Sequence, residues 1–584
     1  MKKLVAMFAI GACMSATVAA HAEKESWKQQ FQRVSDEYFD QVYFHYQPTS
    51  GTSVGYHQYD PQLEDFSRSN IDAAVASLKS FEARVDAIPS ASLDETTRGD
   101  RAIVLGNIRS WLLTLQTIRP WEKNPDMYSS TAANAAFTLM ERKFATPDER
   151  LRSLVAREKQ MPRLLNEARA NLKNPPHIYT EIAIEQLPGI VSFFQHDVPL
   201  AFADAQDPAL KAEFAQTNAA VIASLNSYLA WLKSDLLAKS SGDYRIGADT
   251  FAKKLQYDEM VDIPLDRLLQ IGWADLHRNQ QHFQQIAHAL EPGKQPSAVL
   301  EELGKDHPAP DQLLNSFRST FNGLVAFIRS RNIVTIPSDV RPIVEETPPF
   351  MRATTFASMD TPGPFEMHAK EAYFNVTLPD PSMTPAQVEG YMHSFNVGTV
   401  ISTAVHEAYP GHYVQFLWVP RAPTRVRKLL GANTNVEGWA HYCEQMMLDE
   451  GYGQPGQGAK DERESKLLRL GQLQDALLRN ARFIVGIEMH TGKMSFDQAV
   501  EFFQKEGYQS KETAMVEAKR GTSDPTYLYY TLGKLEILKL REDLKKKQGA
   551  AFSLEQFHNQ FLSQGFPPIK IVRQAMLGDD SPTL

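Results

Sequence analysis

Cysteine is nearly absent: there are two in 584 residues, Cys13 and Cys443. Two cannot build the disulfide framework of a small secreted scaffold, so stability must come from a packed core, which a chain of this length can bury. An excess of positive charge is missing as well. The 61 lysines and arginines against 70 aspartates and glutamates leave −9 at pH 7, with no basic block, which excludes nucleic acid as a main partner. After Ala20 no stretch is long and apolar enough to span a bilayer, so no membrane span is expected. Internal repeats, low-complexity tracts and clean linkers are also missing. What remains is 43% hydrophobic, an ordinary content for a folded protein.

The start of the chain has the layout of a secretory signal. Met1-Lys2-Lys3 is basic, Leu4 to about Ala20 is apolar, and Ala20-His21-Ala22 places small residues at the −3 and −1 positions of a cut after Ala22. The expected protein is exported, periplasmic or secreted, with residues 1–22 as signal and 23–584 as a single helical domain. Ile10-Gly11-Ala12-Cys13 also resembles a bacterial lipobox, which would make Cys13 a lipid anchor. Cleavage after Ala22 removes two lysines and no acid, leaving 59 positive against 70 negative residues, or −11, and Cys443 alone. One cysteine cannot form an internal disulfide.

The body reads as mainly α. Apolar residues recur at spacings of three and four over Ser26–Tyr46, Ile71–Ile88, Arg98–Ile118, Pro147–Leu172, Leu210–Leu237 and Pro264–Leu290. The pattern continues over Pro296–Arg331, Pro385–Tyr409, Asn435–Asp449, Glu464–His490, Ser495–Glu506 and Thr531–Lys547. Thr384-Pro385-Ala386-Gln387 and Thr146-Pro147-Asp148-Glu149 each carry a capping threonine, a first-turn proline and a third-position Gln or Glu. Strand-like sequence is sparse, the best stretch being Pro342–Leu378, which is rich in Pro and Thr and contains Ala372–Leu378. A segment there could pair with an extended substrate backbone, or simply cover the site.

The chemistry lies between His406 and Glu444. His406-Glu407-Ala408-Tyr409-Pro410-Gly411-His412 resembles the zinc-peptidase pattern H-E-x-x-H, but with four residues between the glutamate and the second histidine. In a regular helix, positions six apart point about 120° away from each other, so a straight helix cannot bring both histidines to one metal. Pro410 has no N–H for the His406 carbonyl and forces a break, and Gly411 can adopt a backbone closed to other residues. A third ligand is available in Asn435–Glu444, where Glu437, His441 and Glu444 line one helical face beside a stripe containing Trp439 and Cys443. Two histidines, one glutamate and an open position suit a catalytic zinc site, and on spacing alone the same residues could equally form a satisfied polar network at a helix end. His441 reads either as an alternative ligand or as a partner of one. His277, His282 and His288, in a glutamine-rich helix, read as solvated.

H-E-A-Y-P-G-H followed by E-G-W-A resembles the domain-of-unknown-function 885 family, placed among zincin-like metallopeptidases. The likeness extends from Gly55 through Pro362-Gly363-Pro364-Phe365 to Tyr530-Thr531-Leu532-Gly533-Lys534. It implies a large helical zincin-like domain, with two lobes around a deep cleft and a few short strands, broadly similar to thimet oligopeptidase and angiotensin-converting enzyme. It also implies Zn2+ at His406, His412 and Glu437, with Glu407 as catalytic base. Two departures stand out: the family often has leucine at His441, and Gly486 replaces an aspartate commonly found four residues before the histidine matching His490.

The expected function is hydrolysis of a peptide substrate by water, activated by the metal and deprotonated by Glu407. The resemblance makes Tyr530 the first choice for an oxyanion donor, with Tyr527 and Tyr529 beside it. His490 is a further candidate for oxyanion support, and Arg520 and Tyr529 for gripping substrate. Two alternatives are a catalytically silent peptide-binding protein and a zinc amidohydrolase acting on cell-wall or non-standard amides.

Overall fold

The computed structural model describes residues 25–352 and 355–584, and these are mainly helical with a few short strands. The signal, Cys13 and the cut after Ala22 lie outside the described residues. The capping reading holds at both threonines: Thr146 and Thr384 each close a reciprocal box, with Glu149 and Gln387 respectively.

Three of the long periodic stretches divide, each for a local reason. Pro147–Leu172 becomes Pro147–Glu158 and Met161–Asn171. Pro162 cannot supply an N–H to the Glu158 carbonyl, so the first helix ends there. Pro296–Arg331 is cut by the segment containing Pro308 and Pro310 into Pro296–Gly304 and Leu313–Ser330. Pro385–Tyr409 is cut without a central proline. Asn396 accepts the backbone N–H groups of Gly398 and Thr399 and so starts a new helix.

Helices before residue 240 form two apolar clusters, one around Tyr38, Leu78 and Val104, the other around Leu139, Leu154, Ile190 and Tyr228. The elements that position the site follow. They are α1 (Leu265–Leu290), α2 (Pro296–Gly304), α3 (Leu313–Ser330), β1 (Ile343–Glu346), β2 (Ala357–Asp360) and β3 (Tyr373–Val376). Then come α4 (Pro385–Met392), α5 (Val397–Glu407), α6 (His412–Trp418), α7 (Asn433–Asp449), α8 (Glu462–His490), α9 (Lys511–Ser523) and α10 (Tyr529–Gln548). The sheet order is β1-β3-β2, with β1 parallel and β2 antiparallel to β3. The strand expected at 372–378 is therefore the central one, paired on both sides, and β2 is an edge.

Two close helix crossings hold the site elements. At α5 and α8, Gly398 meets Gly471: a Cβ on Gly471 would lie 2.3 Å from the Gly398 carbonyl carbon. At α7 and α10, Gly438 meets Gly533: a Cβ on Gly438 would lie 2.6 Å from the Gly533 Cα. Only glycine lets backbones approach this closely, and Gly438 is the residue next to Glu437.

Candidate metal centre

The break at Pro410 has the expected consequence. Helix α5 ends at Glu407 and α6 begins at His412. At Gly411 the backbone stands at φ −66° and ψ −133°. Lack of room is what demands glycine there: a Cβ would stand 1.8 Å from the His406 carbonyl oxygen. The turn folds back so tightly that the rings of His406 and His412 come to 4.8 Å between centroids, at 88° to each other.

Glu437 completes the cluster from α7. Its Oε2 lies 3.4 Å from His406 Nε2 and 3.3 Å from His412 Nε2. Both distances exceed the ~2.7–2.9 Å of a charge-assisted hydrogen bond. A tetrahedral ion with bonds of ~2.0–2.1 Å would hold its ligand atoms roughly 3.3–3.4 Å apart. Glu437 Oε2 is buried without a hydrogen-bond partner, and so is one carboxylate oxygen of the neighbouring Glu407. Unpartnered buried carboxylate oxygens are costly unless a cation or a reacting group satisfies them. The residues present therefore fit a divalent ion such as zinc.

Behind this cluster stands a second layer of charge. His406 Nδ1–H donates to Glu444 Oε1 at 2.7 Å, which points Nε2 at Glu437. Glu444 is held in turn by His441 Nδ1 at 3.1 Å and by Arg479 at 3.2 Å. Burial pushes the His441 imidazole down to about 3, so it is neutral and donates to Glu444. Burial would also lower His406, but Glu437 and Glu444 outweigh it and hold the ring up to about 9. Burial opposes ionisation of Glu437, yet His412 and His406 keep it well below the usual carboxylate range. The electrostatics call for positive charge at this point. Glu407, by contrast, is raised by burial, which suits a base.

A cavity of about 1360 Å³ opens onto His406, Glu407, Glu437, Tyr530 and Arg520. The Tyr530 ring stacks near His406 at 6.3 Å. Arg520 donates to the Tyr530 oxygen at 3.1 Å, leaving the phenol proton free to face the cavity. Tyr529 is committed elsewhere, donating to Asp524 Oδ2 at 2.8 Å, and neither it nor Tyr527 lines the cavity. The structure does not bring His490 to the cluster: its Nε2–H donates to the Gly521 carbonyl at 2.8 Å, beside Tyr244. Arg520 is also paired with Asp524 at 3.3 Å. His277, His282 and His288 are exposed, as read from the sequence.

The family described as "Bacterial protein of unknown function (DUF885)" matches residues 48–576. The chain belongs to this family. Among curated proteins none matches. Two solved structures are similar to this DUF885 member over nearly their whole length. One, a candidate lipoprotein of unknown function from Shewanella oneidensis, is 27% identical, with a TM-score of 0.75. The match covers 95% of this chain and 100% of that one. The other, a candidate lipoprotein from Colwellia psychrerythraea, is 20% identical with a TM-score of 0.78, covering 95% and 99%. That second likeness shows the fold alone.

Sequence reasoning missed three supports of the DUF885 site. Arg479 is a single arginine on α8, and its neighbours carry no local mark of its contact with Glu444. Asp475, one turn earlier, pairs with Arg479 at 3.7 Å, and burial raises its carboxyl to about 6. Glu259 accepts from the backbone N–H groups of Asn433 and Thr434, fixing the start of α7 from 174 residues away.

Proposed function

We propose that this chain is an exported zinc-dependent metallopeptidase of zincin-like architecture, with two lobes around the cavity. The observation that carries this reading is the meeting of His406 Nε2, His412 Nε2 and Glu437 Oε2 at 3.3–3.4 Å, with the carboxylate oxygen unpartnered and Glu407 alongside. A zinc ion held by these three residues supplies Lewis acidity, acidifying water and polarising a carbonyl.

The chain's own residues do the rest. Glu407 takes the proton of the attacking water and returns it to the leaving amine. Tyr530 donates its free phenol proton to the developing oxyanion, with Arg520 fixing the hydroxyl. His406 is held in register by Glu444. The cavity exceeds the ~300–1,000 Å³ of drug-sized sites, which favours a peptide substrate. Its wall includes Gln186, Gln284, Gln474, Gln504 and Gln509, groups that bond main-chain amides without selecting charge.

Edge strand β2 adds a register. Thr377 N–H donates to the Phe356 carbonyl at 2.9 Å, so by antiparallel alternation the main-chain groups of Ala357 and Met359 face away from β3. Ala357 lines the cavity. An extended substrate laid along that edge would pair with the strand.

Export rests on the signal-like start, and the lipoprotein description of the Shewanella oneidensis structure favours Cys13 as an anchor over a cut at Ala22. No helix among the described residues is long and apolar enough to cross a membrane.

Mass-spectrometric profiling of cleaved peptides, wild type against Glu407→Gln, tests the activity. Cleavage by the wild type and its loss in the variant, with zinc retained, is the expected result. Peptide hydrolysis by rigorously metal-free protein would overturn it.

A further inference from the structure

A second group of two histidines and a glutamate lies at the rim of the cavity. His307 sits between α2 and α3, Glu389 lies on α4, and His393 follows its last turn. One potential ligand atom from each lies within 4.8 Å of the other two. His307 Nε2 is 3.3 Å and His393 Nε2 3.5 Å from the same oxygen, Glu389 Oε1. These spacings nearly repeat those of the buried cluster.

The tautomer of His307 sharpens the point. Its Nδ1 lies 2.8 Å from the Pro308 carbonyl, which can only accept, so Nδ1 carries the proton. Its Nε2 is then the ring atom turned to Glu389 Oε1, at 3.3 Å, longer than the ~2.7–2.9 Å of a charge-assisted hydrogen bond. His393 Nε2 is itself buried and has no hydrogen-bond partner. Its ring occupies space that only a glycine leaves open: a Cβ on Gly304 would come within 2.9 Å of His393 Cγ.

We propose that His307, Glu389 and His393 hold a second divalent cation, zinc or an ion of similar borderline chemistry. Two imidazole nitrogens and one carboxylate oxygen match that class, with a fourth position left for water. The Glu389 side chain is 58% exposed, so this ion exchanges with solvent and binds more weakly than one at Glu437. Bound there, it ties the connection between α2 and α3 to the segment leading into α5. The main-chain bond from Val397 N–H to the Asp306 carbonyl, at 3.3 Å, already spans the same junction. His393 lines the cavity, so the ion would brace its rim.

Calorimetric zinc titration of the full mature chain, preloaded with one equivalent, tests the proposal, with metal content per chain measured in parallel. Wild type should bind a second zinc with micromolar or tighter affinity and gain thermal stability as it does. His307→Ala and Glu389→Gln should lose that second event and keep the first. Saturation at a single zinc in the wild type, or a second event unchanged in both variants, would overturn it. Should His307→Ala fail to fold, Glu389→Gln, at an exposed side chain, decides alone.

Discussion

The two His-Glu-His clusters offer the same donor atoms at nearly the same spacing, yet differ in everything around them. At His406, His412 and Glu437 the histidine side chains are only 6% and 8% exposed. Behind them stand Glu444, His441 and Arg479, and beside them Glu407 and Tyr530 face a large cavity. At His307, Glu389 and His393, the support is one backbone carbonyl, and the carboxylate lies in solvent. Donor atoms at metal spacing thus do not by themselves make a reactive centre. What distinguishes a centre built for reaction is burial, a charged layer that fixes the rings, and a base without another partner.

Removing the carboxylate from each cluster breaks the comparison most sharply. Glu437→Gln should abolish both peptide hydrolysis and tight zinc binding, whereas Glu389→Gln should leave one tightly held zinc per chain; metal analysis after desalting reads both. The base comes next. Glu407→Gln is expected to cost about 10²–10⁴ in kcat, the usual range for general acid–base catalysis, while zinc content stays at wild-type level. Metal content falling together with activity would assign Glu407 to the ligands instead.

Tyr530→Phe should lower kcat about 10²–10³-fold with little change in KM, since the hydroxyl acts on charge present only in the transition state. Tyr529→Phe should cost far less, because the Tyr529 hydroxyl is bound to Asp524. Steady-state kinetics of the pair decides whether the free phenol proton of Tyr530 is used.

The buried cluster was legible in the sequence, and most of its surroundings were not, for one physical reason. Metal chemistry restricts residue types, and Pro410-Gly411 marks a local break, so His406, Glu407, His412 and Glu437 announce themselves within 32 positions. Local caps such as Thr146 and Thr384 are legible on the same grounds. Arg479 and Glu259 act through contacts between distant segments, and no neighbouring residue signals them. The glycines at 398, 438, 471 and 533 look like tolerated helix glycines until the crossings they permit are seen. Helix Pro125–Met140 escaped notice because Ala132, Ala133, Ala135 and Ala136 are all buried, which erases the spacing of three and four. His490 shows the converse. Its residue type suited catalysis, but the fold binds it to the Gly521 carbonyl.

The smallest expected effect isolates the layer behind the ligands. In Glu444→Gln the side chain can still accept from His406 Nδ1–H, but it loses the charge that raises the basicity of the ring. The first cluster then resembles the second, where a neutral carbonyl stands behind His307. Zinc affinity should weaken about 10–100-fold, the usual cost of losing an outer partner of a ligating histidine. Arg479 keeps Asp475 at 3.7 Å, so the guanidinium is not left without an acid. A competitive chelator titration measures the affinity, and a thermal melt of the zinc-saturated protein separates weaker binding from a weakened fold. An unchanged affinity would mean that burial alone distinguishes the two clusters.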